Sequence, residues 1–206
     1  EASHKIAPIE AHGLKLMSIG FMVDETTPMI WRGPMVQSAL LQMVRDVDWS
    51  GLDILVLDMP PGTGDIHLTI AQKIPLSGAV VVSTPQDIAL IDARKGLEMF
   101  KKVAVPILGI VENMSYFICP SCGHREDIFG AQGASKEAEK LNVPFLGEVP
   151  LHAKIREFSD LGTPVTVAEP HSPQAESFIK IAENILRSLD QGEEQQKAAP
   201  KIIIED

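Results

Sequence analysis

Three runs of uninterrupted apolar residues constrain this chain more than any other feature. They are DILVLD at residues 53–58, GAVVVS at 78–83 and PILGIV at 106–111. A strand with one face in water alternates apolar and polar residues. A strand covered on both faces does not, and these runs are of the second kind. Amphipathic stretches separate them. Pro34 suits the first turn of a helix that carries Met35, Ala39, Leu40, Met43, Val44 and Val47 at spacings of three and four. Asp65 suits the N-cap of a short helix through Lys73. Residues 87–102 read as a helix with Ile88, Ile91, Leu97 and Phe100 as its apolar stripe. Buried strands that alternate with helices define an α/β fold, a parallel sheet flanked by helices on both faces. Such sheets bind ligands beyond the carboxyl ends of their strands.

The remaining chain supplies further elements. Residues 14–19 read as a strand ending at Gly20, 134–141 as a helix, 143–148 as a short strand, and 155–161 and 172–189 as helices. Residues 114–128 read as an irregular excursion around two cysteines. We expect one domain over residues 1–189, followed by an acidic and Gln-rich tail, 190–206, that is disordered. The 206 residues are 45% apolar, enough for a packed core, and no apolar run approaches the roughly 20 residues of a membrane span. Acidic residues number 28 against 18 basic, a net charge of -10, which argues against nucleic acid as the main ligand. Neither nucleic acid nor a membrane is an expected partner. The chain opens with Glu1-Ala2-Ser3, without Met and without an apolar leader, and we expect it to be part of a longer protein.

The residues after each strand carry the chemistry. The first run ends in Asp58 and continues Met59-Pro60-Pro61-Gly62-Thr63-Gly64-Asp65. A carboxylate at a sheet edge can hold a hydrated magnesium ion, and loop glycines let backbone N–H groups approach a phosphate. The plainer alternative is a helix cap followed by a tight turn. Asn113, after PILGIV, can offer its amide to a base edge or can satisfy a turn. Thr84-Pro85-Gln86-Asp87 reads as a helix start. Trp31-Arg32-Gly33-Pro34 leaves Arg32 for a phosphate, a carboxylate or solvent. His4, His12, His67, His152 and His171 show no ligand spacing and read as surface or turn residues.

Cys119-Pro120-Ser121-Cys122-Gly123-His124 is the second chemical feature. Two thiols three positions apart, in a turn shaped by Pro and Gly, match a knuckle that grips a metal from one side. A closed site usually takes four ligands, and the chain has two cysteines. A second copy can complete the set across a two-fold axis, His124 can join a mononuclear zinc or iron site, or the pair can be a redox dithiol. Spacing leaves zinc and an iron–sulfur cluster both open.

Taken together, WRGPM, VDWSGLDILVLDMPPGTGD, STPQDIALIDARKG, VPILGIVENMSYFICPSCGH and VPFLGEVPL resemble the Mrp-type iron–sulfur cluster carriers, over about residues 9–189. These are ATPases of the deviant P-loop, MinD-like (SIMIBI) class. The resemblance implies a homodimer whose paired Cys119 and Cys122 hold one [4Fe–4S] cluster for delivery to apo iron–sulfur proteins, coupled to ATP with Mg2+. It implies Asp58 as the magnesium-associated acid and Gly62 as a backbone donor to the terminal phosphate. Thr63, Gly64 and Asp65 would complete that switch, with Asp58, Gly62 and Asp65 as the catalytic set. Asn113 would read adenine, with Pro150 and Leu151 near the base. The family's lysine-bearing phosphate loop has no counterpart here, and we expect it, with the first strand, upstream of Glu1. ATP hydrolysis is therefore expected of the longer parent. The rival functions are a MinD- or ParA-like positioning ATPase and a zinc-stapled interaction module with a dead nucleotide site. Bacterial cytoplasm and mitochondrial matrix both suit reduced cysteines.

Overall fold

The structure, a computed structural model, describes residues 5–22, 33–60 and 64–198. It divides into two compact units, Glu1–Pro75 and Leu76–Asp206.

In the first unit, β1 (Ile9–Ala11) and β2 (Leu14–Leu16) form an antiparallel hairpin. The sequence predicts one strand over 14–19. The ladder stops earlier because Ser18 turns the chain into a short 3-10 helix, α1 (Ile19–Phe21), its hydroxyl accepting from Gly20 N at 3.2 Å. Helix α2 (Gly33–Asp46) starts around Pro34 as expected. Of its expected apolar stripe Leu40 is buried, as is Val47 just beyond the helix. Ile6 bridges Val47, with Ile6 N donating to Asp46 O at 2.8 Å and Asp48 N to Ile6 O at 2.9 Å. Helix α3 (Asp65–Lys73) follows, with Gly64 rather than Asp65 in the N-cap position.

The run 53–58 departs from expectation. It forms no regular secondary structure and enters no ladder among the described residues, and Val56 is 83% exposed. An apolar run becomes a buried strand only when neighbouring strands take up its backbone donors and acceptors and helices cover its faces. Here neither condition is met. His67, expected at the surface or in a turn, is 5% exposed on α3, with Nε2 2.7 Å from the Pro60 carbonyl.

The second unit is the three-layer sandwich that the sequence predicts. Strands β3 (Ala79–Ser83), β4 (Ile107–Glu112) and β7 (Phe145–Glu148) run parallel in the order β3-β4-β7. One face carries α4 (Asp87–Lys102) and α5 (Gly133–Leu141). There Leu90, Leu97, Ile110, Ala134 and Ala138 close a core against Val81 and Phe145. The other face carries α8 (Pro173–Ala198), whose Ile181 packs on Val111, Leu146 and Val149. Residues 110 and 111 thus face opposite layers, as strand geometry requires. Each fully buried Leu or Ile contributes roughly 1.5–3 kcal/mol.

Helix α4 has the predicted bounds but a rotated stripe. Leu97 and Phe100 are buried as expected, together with Leu90, Ala93 and Met99, whereas Ile88 and Ile91 are exposed. Between β4 and α5 the excursion contains a two-stranded hairpin, β5 (Phe117–Ile118) with β6 (Arg125–Glu126). Two short helices, α6 (Ala153–Asp160) and α7 (Val165–Ala168), precede α8. Helix α8 continues to Ala198, so residues 190–198 are helical where a disordered tail is expected. Glu, Gln, Lys and Ala are good helix formers, and a helix already nucleated on the sheet extends through them at low cost.

Candidate functional site

Two sets of sequence-predicted residues lie in the first unit. Asp58 ends the apolar run and is exposed, and Gly64 caps α3. Helix α3 begins directly after Gly64, and a helix N-terminus favours an anion. His67 Nε2 lies 2.7 Å from the carbonyl oxygen of Pro60. Gly62 and Thr63 lie outside the described residues, as do Trp31 and Arg32.

Asn113, Pro150 and Leu151 lie in the second unit. Asn113 follows β4 directly, and residues 149–151 follow β7, so parallel pairing of Glu112 with Glu148 brings both exits to one edge. Backbone bonds zip them together: Val149 N to Glu112 O at 2.8 Å, Ser115 N to Val149 O at 2.9 Å, and Leu151 N to Tyr116 O at 2.7 Å. Pro150 is buried and Leu151 half-buried. The Asn113 side-chain oxygen accepts from Met114 N at 2.9 Å, and Met114 takes a positive φ of 53°. The turn-satisfying role weighed for Asn113 is thus present in this state.

Beneath this edge lies a network that motif spacing does not reveal. Glu112 is fully buried. Its carboxylate accepts from the Ser115 hydroxyl at 2.5 Å and from the backbone N of Ala134, in the first turn of α5, at 2.6 Å. A buried charge is tolerable only when hydrogen-bonded, and a helix N-terminus adds a favourable field. The one signal in the sequence is a Glu at the end of an otherwise apolar strand. A second buried carboxylate, Glu137 on α5, is forked by Arg94 of α4, with Arg94 NH2 2.8 Å from Oε2. The Arg94 hydrogen bonds hold the Glu137 carboxyl below its usual pKa.

The cysteines sit at the tip of the β5–β6 hairpin. Cys119 N donates to His124 O at 2.9 Å and Gly123 N to Cys119 O at 2.8 Å, with Gly123 at φ +71° closing the turn. Only glycine adopts that conformation without strain. Both thiols are free, Cys119 half-buried and Cys122 exposed. The backbone N–H of Cys122, then that of Ser121, donates to the Cys119 sulfur and holds its thiol below the ordinary value. N–H groups turned on sulfur favour the thiolate, the form that binds metal. Among the described residues no group of three or more His, Cys, Asp or Glu converges on a metal position. His124 thus joins no such cluster.

A parallel sheet covered by helices on both faces, with a two-cysteine hairpin set between β4 and α5, defines an α/β protein. The family model for ParA, described as NUBPL iron-transfer P-loop NTPase, matches residues 1–186, and the chain belongs to that family. It is 52% identical over 204 residues to the iron-sulfur cluster transfer protein NUBPL of Dictyostelium discoideum, covering 98% of this chain and 63% of that protein. It is 56% identical over 184 residues to the iron-sulfur cluster carrier protein of Escherichia coli K12, covering 89% of this chain and 50% of that one. Among solved structures it resembles a nucleotide-binding protein of Archaeoglobus fulgidus in complex with ADP. The TM-score there is 0.69 at 35% identity, covering 86% of this chain and 68% of that one. The chain thus spans about half to two thirds of the length of these relatives.

Proposed function

We propose that this chain is part of an iron–sulfur cluster carrier, holding a labile [4Fe–4S] cluster as cargo and delivering it to apo-proteins. The observation that carries this is the knuckle: two free thiols at a hairpin tip, N–H groups turned on one sulfur, one thiol exposed to an acceptor. Two thiolates per chain hold half of a four-thiolate site. A homodimer supplies the other half, each protomer giving Cys119 and Cys122. The names of the family and of its bacterial and NUBPL relatives support the same cargo.

By resemblance, the protein would also take a nucleotide. Asp58 has the exposed carboxylate that a magnesium ion requires, and the α3 N-terminus beside Gly64 suits a phosphate. Gly62, Thr63 and Asp65 complete that set by resemblance, while Asn113, Pro150 and Leu151 border the base. By resemblance, ATP hydrolysis would be an activity of the whole protein. The bacterial carriers, and a mitochondrial relative from Arabidopsis thaliana required for NADH dehydrogenase, support a bacterial cytoplasmic or mitochondrial matrix location.

Anaerobic incubation with iron and sulfide tests the cargo. The expected product is a brown protein with about four irons per pair of chains, migrating as a dimer. Cys119→Ser and Cys122→Ser each abolish the colour. A colourless protein that retains one zinc per chain overturns the carrier reading in favour of a zinc-stapled module.

A further inference from the structure

The hairpin that bears the thiols is too small to hold itself in place. Its strands have two residues each, and a ladder of that length has little stability without a tether. The tether is visible in one side chain. Arg125, on β6, lays its guanidinium over the Tyr116 ring at 3.9 Å from the centroid. The same group donates from NH2 to Glu148 Oε2 at 3.3 Å and from Nε to Asp127 Oδ1 at 3.2 Å. Tyr116 and Glu148 are not arbitrary anchors. The Tyr116 carbonyl accepts from Leu151 N at 2.7 Å, and Glu148 is the last residue of β7. Arg125 therefore grips both flanks of residues 149–151, the segment that leaves the sheet at the base-side edge. On its other side, Arg125 follows His124, whose carbonyl accepts from Cys119 N.

We propose that Arg125 is a positioning residue: it fixes the Cys119/Cys122 knuckle to residues 149–151 and carries displacements of that segment to the thiols. The proposal rests on the carrier reading for the identity of the cargo, but the linkage itself is a property of this hairpin. Its two ends differ in rigidity. The sheet edge stands on the fully buried Glu112 network. Arg125 is half-exposed and its ion pairs are of the weak surface kind. A ligand that shifts residues 149–151 thus changes the Arg125 contacts before it disturbs the core. An arginine is required, because only a planar fork can stack on a ring and donate sideways to two carboxylates at once.

The test compares the wild-type chain with Arg125→Ala and Arg125→Lys. Tyr116 is the single tyrosine of the sequence, so selective tyrosine labelling gives one set of ring resonances. Both variants are expected to shift that set. The thiols are then loaded with Co2+ alone, followed through the sulfur-to-cobalt absorption band, and challenged with a chelator. Arg125→Ala is expected to release Co2+ several-fold faster, and Arg125→Lys nearly as fast, with thermal midpoints within a few degrees of wild type. Wild-type release rates in Arg125→Ala, or full rescue by lysine, overturn the proposal; rescue would reduce Arg125 to a mere positive charge. The same comparison on the anaerobically reconstituted cluster, with an iron(II) chelator, extends it to the cargo. Co2+ binding without cluster formation overturns the carrier reading alone, and the cobalt rates then decide the role of Arg125.

Discussion

At the scale of single residues, two buried carboxylates join segments of the second unit that lie far apart in the chain. Glu112 receives two donors of different kinds, a hydroxyl and a backbone N–H. Glu112→Gln must turn an amide NH2 toward one of them, leaving a buried donor unmatched. We expect it to destabilise the protein by about 1–3 kcal/mol, read as a lower urea midpoint at unchanged slope. Glu137 sets a pH dependence. Its folded pKa is depressed by the Arg94 hydrogen bonds, so it contributes stability that is fully present above the ordinary glutamate pKa of about 4.3 and is lost as pH falls from there through the folded value. Wild type should therefore lose its thermal advantage over Glu137→Gln across that acid window, and a constant difference would refute the assignment. Neither network was foreseeable from spacing. Glu112 and Ala134 are brought together by β4 and α5 packing, and Arg94 and Glu137 by two helices on one sheet face. His67 escaped for the same reason: its contact with the Pro60 carbonyl spans seven residues and follows no periodicity.

At the scale of elements, the knuckle was legible and its mounting was not. Cysteine spacing and Gly123 describe the turn locally, because four or five consecutive residues make it. The tether through Arg125, Tyr116 and Glu148 joins segments that no periodicity relates. The stripe of α4 illustrates a related limit. Spacing identifies a helix over Asp87–Lys102 but leaves the facing side to packing, so Ile88 and Ile91 point away from the core. Within β4, Gly109 adopts φ +151°, and an added Cβ would stand 2.6 Å from both the Pro144 carbonyl oxygen and Leu146 Cγ. Gly109→Ala combines backbone strain with a clash against main chain. We expect a loss of about 2–4 kcal/mol by chemical denaturation and a disturbed β4–β7 register.

At the scale of the whole molecule, protection should divide along the two units. Hydrogen exchange is expected to find the amides of β4, paired on both sides and covered on both faces, among the slowest. Residues 54–57, with no ladder among the described residues, should exchange faster by orders of magnitude. Strong protection over 54–57 would show that this run is paired after all. That contrast also marks the division between local and global information. By itself the sequence determined the α/β class, the parallel strands β3 and β4, the bounds of α4, the knuckle and the family resemblance. Each of these is written in contiguous residues or in periodicities of two and 3.6. Tertiary packing set the rest: the run 53–58 enters no ladder among the described residues, the chain exits after β4 and β7 share one edge over Glu112, and Arg125 links the cysteine hairpin to that edge. Those facts depend on which distant segments become neighbours. Apolar burial drives such meetings but carries no direction, and hydrogen-bond geometry selects among them only once the backbone has closed.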